Sequence, residues 1–229
     1  MKITVVFNNF NLFEGLSAAW GMGAVIESGA EKILFDTGSD GEVLLENMER
    51  FDILPSEISK VVISHNHWDH IGGLSAFLYA NSEVEIYAPD LDQELVSLAE
   101  NRGARVYLVT SPTEVISGIS TTGVFPHPVP EQALVIATAK GNVILTGCSH
   151  PGVVSMVMAA PEPRHLVSGG LHLFRSSLEA IKSTALRLEE AGVELVAPSH
   201  CTGKTATEYF RKYFQDRFVY GGLGAVFQF

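Results

Sequence analysis

Apolar and polar positions follow two different periods along this chain, and turn residues mark where one gives way to the other. Strand-like runs fall at about 2–7, 22–28, 32–37, 60–65, 84–88 and 105–110, with helical periodicity near 41–50, 71–80 and 91–102. A second set follows: strands near 119–125, 133–138 and 143–147, a helix at 153–160 and a strand at 165–168. The stretch Ala139-Lys140-Gly141-Asn142 reads as the turn of a hairpin. Helix 176–191, strand 193–197, helix 204–214 and a last strand at 224–228 complete the pattern. In helix 176–191, Leu178, Ile181, Ala185, Leu188 and Ala191 recur at steps of three and four, and Gly192 stops it. Tyr209, Phe210 and Tyr213 read as the core face of their helix. Strands and helices alternate in both halves with similar spacing, so the simplest architecture is two sheets packed face to face with helices outside.

Composition narrows the class. At 229 residues, 46% apolar and 18% charged, the sequence describes an ordered globular protein, read as a single domain over 1–229 with two small domains as the alternative. No apolar run reaches the length of a membrane span, and the chain begins directly in the strand-like Lys2-Ile3-Thr4-Val5-Val6-Phe7, without a signal-peptide pattern. The expectation is a soluble, cytoplasmic protein with no membrane partner. A formal net charge of -11 argues against gripping nucleic-acid phosphates and leaves a small molecule as the expected partner, with the oligomeric state open. Cys148 and Cys201 are the only cysteines, and each lies within two residues of a histidine, which points away from a disulfide framework.

The chemistry concentrates in His65-Asn66-His67-Trp68-Asp69-His70, directly behind the apolar run Lys60-Val61-Val62-Ile63-Ser64. Residues two apart on an extended strand face the same way, so His65 and His67 can converge on one metal while a turn brings Asp69 and His70 towards a second. Each ion then needs a ligand from elsewhere. Three later strand ends carry histidines: Thr146-Gly147-Cys148-Ser149-His150-Pro151-Gly152, Ser168-Gly169-Gly170-Leu171-His172, and Ser199-His200-Cys201-Thr202-Gly203. His150 and His200 are the best placed to supply them. His127, between two prolines, and His165 read as surface loop residues, and Cys201 reads as packing beside His200.

The His-x-His-x-Asp-His run, the preceding Ile33-Leu34-Phe35-Asp36-Thr37-Gly38 and the later strand-end histidines resemble the metallo-β-lactamase superfamily over nearly the whole chain. That resemblance implies an α/β fold, a four-layer αββα sandwich, with a one- or two-metal site at one edge of the sheets and a metal-bound hydroxide as nucleophile. His65, His67 and His150 would form the first site, and Asp69, His70 and His200 the second, with Asp36 orienting a ligand histidine. Three segments, Thr146 to Gly152, Gly169 to Leu173 and Ser199 to Gly203, are similar to a branch of metal-dependent hydrolases that includes a methanopterin-pathway synthase joining a dihydropterin to a ribofuranosyl-aminobenzene phosphate. One departure stands out: where many members carry a bridging Asp in a Gly-Asp pair, this chain has Gly169-Gly170 or Gly147-Cys148.

A zinc-like ion held by neutral imidazoles lowers the pKa of its water to about 7, so no dedicated side-chain base is needed. The leading expectation is therefore a hydrolase cleaving an ester, phosphoester or related bond, with Asp69 and His172 as the candidate catalytic residues. A dihydropterin transferase is the alternative, and a non-catalytic metal-binding protein a third. Zinc is the first choice of divalent metal, as one or two ions, with manganese, iron or nickel also compatible.

Overall fold

The early apolar runs become β1 (Lys2–Asn8), β2 (Met22–Ser28), β3 (Glu31–Phe35), β4 (Ile58–Val62), β5 (Glu85–Ala88) and β6 (Arg105–Leu108) in a computed structural model that describes residues 1–229. The helices among them are α1 (Gly41–Arg50), α2 (Trp68–Ile71), α3 (Leu74–Ala80) and α4 (Gln93–Glu100). The later runs give β7 (Glu114–Ile116), β8 (Ile119–Thr121), β9 (Leu134–Thr138), β10 (Gly141–Thr146), α5 (Val153–Met158), β11 (Arg164–Gly170), α6 (Leu178–Glu190), β12 (Val193–Ser199), α7 (Lys204–Phe214) and β13 (Val226–Gln228). The chain divides into two units: Met1–Thr110 with Gly222–Phe229, and Ser111–Gly221.

The first unit holds a seven-stranded sheet in the order β13-β1-β2-β3-β4-β5-β6. Its β1, β2 and β3 pair antiparallel, while β3 to β6 run parallel, so each parallel step needs a helical crossover. Asp40 and Asp92 cap α1 and α4 by accepting backbone N–H bonds, at 2.9 Å from Glu42 and Glu94. Leu44 and Met48 of α1, Leu74, Phe77 and Leu78 of α3, and Leu95 and Ala99 of α4 bury their apolar faces with Val25, Leu34, Val61 and Ile86 of the sheet. The run 71–80, predicted as one helix, is two helices broken at Gly72-Gly73. A Cβ at Gly72 would lie 2.5 Å from the Ser39 carbonyl oxygen, and one at Gly73 2.2 Å from that of Thr37. These glycines let the segment behind the histidine motif press against the turn after β3.

The second unit holds a six-stranded sheet in the order β12-β11-β10-β9-β8-β7, with β10, β11 and β12 parallel. Ile144, Val167 and Val196 of these strands share a core with Val153, Val157, Ile181, Leu188, Phe210 and Phe214 of the helices, and Tyr209 and Tyr213 pack half-buried against it. The predicted hairpin joins β9 and β10 in antiparallel register, with Thr138 opposite Gly141. β7, at three residues too short to show a period, was not anticipated. No helix is long and apolar enough to cross a membrane.

Candidate metal centre

In the first unit the sheet ends before the histidines begin. β4 stops at Val62, three residues short of the predicted end, so His65 and His67 stand in a turn and not on a strand. They converge all the same, with His65 Nε2 and His67 Nδ1 3.1 Å apart. The agent is Asp36, in the turn after neighbouring β3. Its Oδ1 accepts the Ser64 backbone N–H at 2.7 Å, and its Oδ2 accepts the Ser64 hydroxyl at 2.7 Å and lies 2.7 Å from His70 Nδ1.

These contacts fix tautomers. A carboxylate only accepts, so the proton between Asp36 and His70 belongs to Nδ1 of the histidine. The Ser64 hydroxyl has given its hydrogen to Asp36, so towards His65 Nδ1, 2.9 Å away, it can only accept. Both imidazoles therefore present the Nε2 lone pair. His70 Nε2 faces the Asp69 carboxylate at 3.7 Å, and the His65 and His70 rings lie 4.1 Å apart. His65, Asp69 and His70 are buried and His67 is exposed. Thr37 holds the far end of the turn through its backbone N–H and hydroxyl, both donating to the His70 carbonyl. Gly21 allows close approach there, since a Cβ on it would lie 2.3 Å from the Asp69 carbonyl oxygen.

The second unit repeats the device with Glu131, which sequence reasoning missed. Its fully buried carboxylate accepts the backbone N–H groups of Cys148, Ser149 and His150 at 2.9, 2.7 and 2.7 Å, and Oε2 lies 2.9 Å from His150 Nδ1. His150 is thus also locked with Nδ1 protonated, so that Nε2 carries the ring's lone pair. Burial pushes the Glu131 carboxyl up, but the hydrogen bonds from His150 and Ser149 outweigh it and hold it below the ordinary carboxylate value. The only signals available beforehand were an acidic residue amid Pro128, Pro130 and apolar neighbours, and nothing tied it to a motif 17 residues away.

Cys148, His172 and Cys201 come together at the ends of β10, β11 and β12, their ligand atoms within 4.8 Å of one another. Cys148 also lies within 4.8 Å of a ring nitrogen of His150 and of one of His200. Residues 200–202 form a 3-10 turn, and Cys201 is buried in it beside His200. Its Sγ donates to the Cys148 carbonyl at 3.4 Å. Burial pushes the Cys201 thiol up, but hydrogen bonds with Cys148 and His172 and the charge of His200 hold it well below the ordinary thiol value. The bond with Cys201 in turn raises the His172 imidazole above its usual value, against the effect of burial. The His172 ring is exposed and stands 4.4 Å from that of His150.

Strain gathers at the same turns. Asp36, Ser149, His172 and His200 all have φ between 48° and 64°, the left-handed region that non-glycine residues avoid. Gly170 explains the missing bridging carboxylate: a Cβ there would meet the Gly147 carbonyl oxygen at 2.4 Å and Cys201 Sγ at 2.6 Å. Two smaller expectations part company. His127 is exposed in its proline-flanked loop, whereas His165 is a buried residue of β11 bonded to Glu194 at 2.6 Å. Ser17, in the loop before β2, is tied to Asn47 and Glu46 of α1.

The sequence model described as the metallo-beta-lactamase superfamily matches residues 24–200. A 7,8-dihydropterin-6-methyl-4-(β-D-ribofuranosyl)-aminobenzene-5'-phosphate synthase from Methanocaldococcus jannaschii is 31% identical, over 87% of this chain and 85% of its own. A solved metal-dependent hydrolase of the β-lactamase superfamily superposes with a TM-score of 0.82 at 26% identity, covering 100% of this chain and 99% of that one. The metallo-β-lactamase fold protein YhfI from Bacillus subtilis gives 0.73 at 19% identity, covering 99% of each chain, a likeness of fold alone.

Proposed function

The chain belongs to the metallo-β-lactamase superfamily, and from that premise we propose that it is a metal-dependent hydrolase of a small soluble ester or phosphoester. The observation that carries the reading is the tautomer lock. Nδ1 of His65, His70 and His150 is held by Ser64, Asp36 and Glu131, so three imidazoles keep Nε2 for an ion. Such second partners are what a ligating histidine requires, and they raise its basicity. In this reading His65, His67, Asp69 and His70 serve as ligands in the first unit, and His150 and His200 in the second. Neutral nitrogens with one carboxylate suit zinc, and also manganese, iron or nickel.

A divalent ion there supplies a water activated at neutral pH and polarises the carbonyl or phosphoryl oxygen under attack. The protein's own groups do the rest. Asp36 and Glu131 keep the imidazoles from turning or taking up a proton at the wrong nitrogen. Asp69 offers a carboxylate oxygen beside His70 to hold or receive a proton. His172, exposed and next to His150, hydrogen-bonds the leaving group or the oxygen that gains charge.

The synthase likeness supports a second reading, transfer of a dihydropterin to an aryl ribose phosphate, since it spans most of both chains. One experiment addresses both. Metal-loaded protein is incubated with p-nitrophenyl esters and phosphodiesters, and separately with a dihydropterin diphosphate plus an aryl acceptor. Chelator-sensitive release of nitrophenol supports hydrolysis. A joined pterin product with inert esters replaces it by the synthase reading, and no turnover in either arm removes both.

A further inference from the structure

Cys148, His172 and Cys201 are not needed by the two ligand sets proposed above, yet they form a complete set of soft donors in one unit. We infer that these three residues make a thiolate-rich metal position of their own, which takes zinc or a similarly thiophilic ion. The inference stands on the second unit alone and does not require the hydrolase reading.

The topology brings them together. β10, β11 and β12 are adjacent and parallel, with Thr146 opposite Gly169 and Gly170 opposite Ser199. Their ends therefore lie side by side, and each of the three turns that follow contributes one donor. Zinc with Zn–S of about 2.3 Å and Zn–N of about 2.0 Å, in tetrahedral geometry, sets its donors roughly 3.4–3.8 Å apart. The three ligand atoms already lie within 4.8 Å of one another, so small rotations of side chains close the set.

Other details fit a built site. Cys148 and Cys201 are 4% and 3% exposed, neither is in a disulfide, and burial shields both from competing water. The 3-10 turn at 200–202 aims Cys201 inward, and the absence of a side chain at Gly170 leaves space for its sulfur, which a Cβ would approach to 2.6 Å. His172 adopts φ 51°, a strained conformation, and carries its ring beside Cys201 with one side open to solvent. That open side admits the ion and a fourth ligand. Thiolates select zinc over manganese or magnesium, and each thiol that binds gives up its proton. Because Cys148 also lies within 4.8 Å of ring nitrogens of His150 and His200, its thiolate places negative charge where Gly147 and Gly170 offer no carboxylate.

The test is cobalt(II) titration of the full chain, read by the near-ultraviolet charge-transfer absorption that only thiolate-bound cobalt gives. Wild type and His67→Ala should both show the band, because His67 is outside the trio. Cys201→Ser and Cys148→Ser should each lose at least half of it, and His172→Ala should shift it. No band in wild type, or a full band in Cys201→Ser, overturns the inference; in the latter case Cys148 serves the imidazole ligands alone. Should a cysteine variant fail to fold, alkylation of native wild type by iodoacetamide decides. Zinc must protect both cysteines together, and alkylation at an unchanged rate refutes the site whatever the outcome of the ester assay.

Discussion

Replacing Glu131 by Gln keeps the side chain's shape and removes one acceptor, which makes it a sharp probe of the second unit's clamp. The carboxylate now receives four hydrogens, three from the backbone of Cys148, Ser149 and His150 and one from His150 Nδ1. An amide can accept through its oxygen alone, while its NH2 group faces the remaining donors. Two buried N–H groups on one side of the turn therefore lose their partner, whichever way the amide lies. A buried donor left unsatisfied costs about 1–3 kcal/mol, so the loss should be about 4 kcal/mol. Against a domain stability of about 5–15 kcal/mol that is a large fraction, readable as a fall in the urea midpoint. Glu190→Gln, on the exposed face of α6, is the matched control. With the NH2 group turned towards His150, its Nδ1 is among the donors that lose their acceptor, and loss of such a partner typically weakens metal binding 10–100-fold. A Glu131→Gln variant within about 1 kcal/mol of wild type and with unchanged zinc affinity would refute the clamp.

Two further outcomes follow from the geometry. His67→Ala removes an exposed ring, so stability should stay within about 0.5 kcal/mol while metal content and turnover fall; wild-type turnover with the metal still bound counts decisively against the centre. Gly170→Asp restores a carboxylate near the family's bridging position, but its Cβ overlaps the Gly147 carbonyl and Cys201 sulfur. It should lose about 3 kcal/mol in denaturant titration and gain no ion, and a stable variant with an added metal would show that the turn can yield.

What could be read from the sequence depended on how far apart the cooperating residues lie. Continuous apolar runs such as Val61-Val62-Ile63 announced their strands, and six consecutive residues carried the first ligand cluster. Asp36 was legible only through its family-like Asp-Thr-Gly turn. Glu131 was not legible, because the donors it serves are brought to it by sheet pairing between β9 and β10 and not by any local pattern. His165 was misjudged as a surface residue although it falls in the expected strand 165–168, because nothing local showed that β11 lies buried along its whole length. The winding of the turn after β12 was not legible either, because alternation of faces holds only for extended chain. The split at Gly72-Gly73 shows the same limit, since those glycines answer to the Ser39 and Thr37 carbonyls, more than thirty residues earlier in the chain.

The recurrence of one device in both units has a physical reason. A ligand histidine at the end of a strand must leave the sheet abruptly, and the turns that achieve this hold Ser149, His172 and His200 in left-handed backbone, with Asp36 likewise strained in the turn that serves His70. Each such residue costs on the order of 1–3 kcal/mol, so together they rival the whole stability of a domain. Asp36 and Glu131 offset part of that cost by binding the backbone N–H groups of Ser64 and of Cys148 to His150 with charge-assisted bonds, stronger than neutral ones. The same oxygens orient the imidazoles. Turn geometry and ligand tautomer are therefore set by one buried carboxylate in each unit, before any ion arrives, and a substitution that spares every ligand can still disable the centre by releasing the backbone behind it.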